Sequence, residues 1–103
     1  MTVGVGIHWT FRVIGDVDLF EYADAVTEAL LEQEKRSPGV LDSAVSVDRE
    51  RKVVEIEVTA EGADDAEAVA TGQAAVTAAV QAAGAEVVSL VPTDLSTTVL
   101  APA

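Results

Sequence analysis

The chain contains no cysteine. Disulfide frameworks, thiolate metal centres, iron–sulfur clusters and cysteine nucleophiles are therefore excluded. Histidine occurs once, as His8, and tryptophan once, as Trp9. A serine triad would need His8 as its base, and no nucleophile motif such as GxSxG accompanies it. Cations are also scarce: 6 Lys and Arg stand against 18 Asp and Glu, for a formal net charge of −12. Such a surface repels phosphate backbones and anionic bilayers, so neither nucleic acid nor membrane is an expected partner. Aromatic residues make up 4% of the chain, so the core must be assembled from many small Val, Ala and Leu contacts. No apolar run approaches membrane-spanning length, and the opening MTVGVGIHW has no basic region ahead of an apolar stretch. The expectation is a soluble, cytoplasmic protein.

What is present is a globular composition, 50% apolar and 23% charged, over 103 residues. That length supports one domain and one core. In the first segment Val5, Ile7, Trp9, Phe11 and Val13 alternate with Gly4, Gly6, His8, Thr10 and Arg12, the period of a half-buried strand. Asp18, followed by Glu21, resembles a capping box that opens a helix. Leu19, Ala23, Val26 and Leu30 then recur at helical spacing, and Ser37-Pro38-Gly39 stops the run after Lys35 and Arg36. Two alternating runs follow, VLDSAVSVD and KVVEIEVTA, joined by a polar link that predicts a hairpin. The first should turn Leu41, Val45 and Val47 inward, and the second Val54, Ile56, Val58 and Ala60. Asp64 and Glu67 repeat the capping pattern ahead of an Ala-rich helix, whose inner arc is Val69, Gly72, Val76, Val80 and Ala83. Gly84 suits its C-terminal cap. AEVVSLV reads as a fourth strand ended by Pro92.

The order β-α-β-β-α-β, through about residues 3 to 92, resembles the ferredoxin-like superfamily. That resemblance rests on element order alone and implies an α+β, two-layer sandwich: a four-stranded antiparallel sheet of spatial order 4-1-3-2 with two helices on one face. Residues 1–92 would form the single domain. Residues 93–103 would be a C-terminal tail, free to fray or to add an edge strand through Val99 and Leu100.

In that architecture His8, Thr10 and Arg12 share the helix-free face with Glu55 and Glu57. A small-ligand site there would use His8, Arg12, Glu55 and Glu57, and a divalent-metal site would use His8, Glu55 and Glu57. The alternative is cross-strand pairing of His8 and Arg12 with the glutamates, each pair contributing roughly 0.2–1 kcal/mol. Gly4 and Gly6 form only G-x-G within a strand, without the remaining parts of a phosphate loop, and are better read as a smooth patch for close approach. RNA stacking fails because Trp9 and Phe11 alternate to the covered side. Arg49, Arg51 and Lys52 at the hairpin should meet Asp16 and Asp18, either neutralising them or leaving a surface for an acidic partner. No catalytic residues and no cofactor are assigned, and the reading leans against an enzyme. The favoured function is a self-associating interaction module, a homodimer formed through Gly4, Gly6, Val88, Leu90, Val99 and Leu100. The runner-up is a ligand- or metal-binding domain on the open face.

Overall fold

A computed structural model describes residues 2–84, 87–88 and 92–100, the last two segments as backbone. The elements are β1 (Thr2–Val13), α1 (Leu19–Arg36), β2 (Val40–Asp48), β3 (Val53–Gly62), α2 (Asp65–Ala83), β4 (Val87–Val88) and β5 (Pro92–Leu100). β1 lies between β3 on one side and β4 with β5 on the other, and β2 pairs the outer side of β3, all antiparallel. The fold is α+β and ferredoxin-like, with two helices.

Both helices start where the capping residues direct them. Asp18 Oδ1 accepts the Phe20 and Glu21 amides at 2.9 and 3.2 Å, and Asp64 Oδ1 accepts the Glu67 amide at 2.8 Å. Each carboxylate satisfies N–H groups that have no partner within the helix. α2 ends at Gly84, whose φ of 86° lies in the left-handed region that glycine enters without penalty.

The core is the odd face of β1 and the even face of β3 beneath the helices. Val5, Ile7, Trp9 and Phe11 meet Val54, Ile56, Val58 and Ala60, with Tyr22, Val26 and Leu30 from α1 and Ala68, Ala75, Val76, Ala79 and Val80 from α2. α2 buries a stripe of Ala and Gly because it packs close to the sheet. A Cβ on Gly72 would lie 2.5 Å from Ile7 Cδ1, and one on Gly62 would lie 2.7 Å from the Ala68 amide nitrogen.

One expectation is corrected. Leu41 is not an inward residue of β2: it is 44% exposed, while Val40 is buried. The register shifts between Val40 and Asp42, so Leu41 is an extra residue and the alternation changes phase there. Within the run AEVVSLV the structure describes β4 beside β1, and the tail supplies an edge strand, β5. β4 pairs Arg12 and Val13, and β5 begins at Pro92 opposite Trp9 and continues to Leu100 opposite Thr2, giving a sheet of five strands by backbone pairing. Proline has no N–H to donate, but the first residue of an edge strand can do without that bond.

Candidate functional site

On the helix-free face His8 lies directly opposite Glu57, Thr10 opposite Glu55, and Gly6 opposite Thr59. Beyond β3, Ala44 pairs with Glu57 and Ser46 with Glu55. His8, Ser46, Glu55 and Glu57 thus border a shallow cavity of about 270 Å³, and Ser46 Oγ donates to Glu55 Oε2 at 3.4 Å. Arg12 is not brought to this group. It lies opposite Val53, is exposed, and forms no ion pair among the described residues. No three His, Asp or Glu side chains converge as a metal site among the described residues. Of the residues expected at an interface, Gly4 and Gly6 lie on β1 within this sheet. Val88, Val99 and Leu100 are placed by backbone register opposite Arg12, Val3 and Thr2, and Leu90 lies outside the described residues.

A second site lies at the end of the sheet, where the β1–α1 loop meets the β2–β3 hairpin. A cavity of about 310 Å³ is walled by Val13, Val17, Leu19 and Phe20 and edged by Asp16, Asp18, Arg49 and Lys52. Topology alone brings the basic hairpin to Asp16 and Asp18, as the sequence implies, yet the expected neutralisation does not form. Lys35 Nζ pairs with Glu32 Oε1 at 3.6 Å on α1, while Arg49, Arg51 and Lys52 form no ion pair with Asp16 or Asp18 among the described residues. At Asp18, backbone amides compete with the hairpin cations for the carboxylate. Asp18 is committed to capping α1, and Asp48 Oδ1 accepts the Glu50 and Arg51 amides at 3.1 and 3.2 Å to form the hairpin turn. Arg49 instead lies over the Phe20 ring, its guanidinium carbon 5.2 Å from the centroid. A cation–π contact of this kind at an exposed site contributes about 0.5–1 kcal/mol. Sequence reasoning missed this cavity, because its apolar walls come from loop positions with no periodicity.

A wider depression of about 610 Å³ adjoins the same loop, with the Tyr22 ring in its lining. Tyr22 itself is 3% exposed, and its hydroxyl is buried with no hydrogen-bond partner among the described residues. Burial raises its pKa above the ordinary 10.0, because the phenolate would lose its solvation.

The fold and this pair of surfaces define a ferredoxin-like α+β protein. No family model and no curated protein sequence matches the chain. Among solved structures, a dimeric ferredoxin-like protein of unknown function from Thermobifida fusca YX aligns with TM-score 0.54 and 15% identity, covering 93% of this chain and 88% of its own. The de novo designed protein Foldit4 aligns with TM-score 0.50 and 18% identity, over 98% of this chain and 100% of its own. At these identities the likeness is one of fold. No helix among the described residues is long and apolar enough to cross a membrane.

Proposed function

We propose that the chain is a self-associating interaction module that forms a homodimer through its helix-free sheet face. The observation that carries this reading is the composition of that face. Gly6, Thr10, Ala44, Ser46 and Thr59 surround the central His8, Glu55 and Glu57 with little bulk, so a second sheet can approach closely, and no helix covers them. The exposed Arg12, without an acidic partner among the described residues, can find one on a second acidic copy. That the Thermobifida fusca protein of similar fold is dimeric supports the reading. In this arrangement β4 and β5 act together as one fourth strand, in the spatial order 4-1-3-2, and residues 92–100 belong to the domain. The proposed setting is the cytoplasm, without catalysis and without nucleic-acid or membrane partners.

The test is light scattering and native mass spectrometry across the micromolar range. A dimer of two 10.6 kDa chains is expected, stronger at high salt because two copies of charge −12 repel. Thr59 is exposed in the single chain, so Thr59→Glu should leave the melting temperature of the monomer intact and abolish the dimer. A strict monomer for the native sequence would defeat the proposal.

The cavity beside His8, Glu55 and Glu57 favours a second reading, a small ligand or divalent ion held on the same face. Native mass spectra separate the two directly. A bound ion or metabolite that disappears in His8→Ala, on a monomer, supports the second reading over the first.

A further inference from the structure

The cavity at the end of the sheet does not depend on the self-association reading, since it lies between the β1–α1 loop and the hairpin rather than on the open face. At about 310 Å³ it is at the lower end of small-molecule sites, which run to roughly 300–1,000 Å³, and so has room for an amino-acid-sized guest rather than a nucleotide. Its charged lining comprises Arg49, Lys52, Asp16 and Asp18. Asp18 Oδ1 accepts the Phe20 and Glu21 amides while its charge remains, so two cations face two carboxylates, none of them in an ion pair among the described residues.

Each class of guest meets that lining differently. A simple anion would face Asp16 at close range and the field of a chain of charge −12 at long range. A simple cation would face Arg49 and Lys52. A molecule carrying both charges answers all four groups, its carboxylate toward Arg49 and Lys52 and its ammonium toward Asp16 and Asp18, and being neutral overall it is not repelled on approach. The Phe20 ring and Val17 supply an apolar wall for the remainder of the guest. Phe20 is 53% exposed and carries the Arg49 guanidinium 5.2 Å from its ring centroid, so the cavity presents an apolar wall and a cation side by side. We propose that this cavity binds a small zwitterion with an apolar body, of which a free aliphatic or aromatic α-amino acid is the simplest.

The experiment is an amide NMR titration of the full chain with L-phenylalanine and with L-leucine. At least one of them should give saturable shifts at Gly15, Val17 and Lys52, whereas phenylacetate and phenethylamine, each lacking one charge, should bind about tenfold or more weakly. The double variant R49Q/K52Q and the single variant Asp16→Asn should each weaken binding by about tenfold with unchanged circular dichroism. These are exposed positions, so loss of the fold is not a competing explanation. Absence of saturable shifts with both amino acids overturns the proposal. So does phenylacetate or phenethylamine binding as tightly as the amino acids, or an affinity that survives Asp16→Asn.

Discussion

Trp9 and His8 adjoin in sequence and part company in the sheet. Trp9 is 1% exposed beneath the helices, while His8 lies on the face that no helix covers. The covered face gains from shape: Phe11 and Tyr22 meet edge to face at 6.5 Å, and close approach of α2 needs glycine and alanine. The open face carries short and charged side chains at positions that adjacent strands bring together. The lesson is that one strand divides its residues between two tasks, and that the two should answer mutation very differently.

The largest test of that difference is the pair Trp9→Ala and His8→Ala. Trp9→Ala is expected to lower unfolding free energy in denaturant by about 3–5 kcal/mol. His8→Ala, which removes at most a cross-strand contact, should change it by about 1 kcal/mol or less. Similar losses for both would erase the distinction between the faces. A smaller effect is expected at Gly62. There an added Cβ meets backbone rather than the tip of a side chain, so Gly62→Ala should cost about 1–3 kcal/mol on the same measurement. If it is neutral, the covered face is packed more loosely than its distances indicate.

The smallest effect sharpens the comparison with a change of sign. Tyr22→Phe removes the one orphaned hydroxyl among the described side chains of the covered face and should raise stability by about 1 kcal/mol. The phenol also titrates. In the unfolded chain it ionises near its ordinary value of 10.0, whereas burial keeps it protonated to higher pH in the folded state. Above pH 10.0 the unfolded state therefore binds fewer protons, and stability falls as pH rises toward the raised folded value. Denaturation curves from pH 8 to 11 should show that decline in the native sequence and a shallower one in Tyr22→Phe.

Much of the fold was legible because it rests on local rules. Strand alternation in β1 and β3, the carboxylate caps at Asp18 and Asp64 and the left-handed Gly84 can each be read from a few adjacent residues. What was hidden depends on events that composition does not mark. The phase change at Leu41 arises from one extra residue between two apolar neighbours, and either Val40 or Leu41 could have faced inward. Pro92 reads as a stop, yet at an edge it can open a strand. At the hairpin, topology correctly brought cations to Asp16 and Asp18, but a charge count could not tell that amides would claim Asp18 and Asp48 first. The sheet-end cavity was invisible for the same reason, since its walls are assembled from separate loops.

The displaced Leu41 also bears on how copies of this chain can stack side by side. β2 pairs only β3 among the described strands, leaving an outer rim in which Ser43–Val47 carries no charge, with Asp42 and Asp48 at its ends. A second copy joining antiparallel about Val45 would set Asp42 against Asp48 at both ends, while the irregularity beside Val40 spoils a longer zipper. Runaway fibre growth along this rim is thus opposed by two carboxylates and a kink. Added salt screens the electrostatic part of that barrier, leaving the kink as the remaining guard against fibril nucleation.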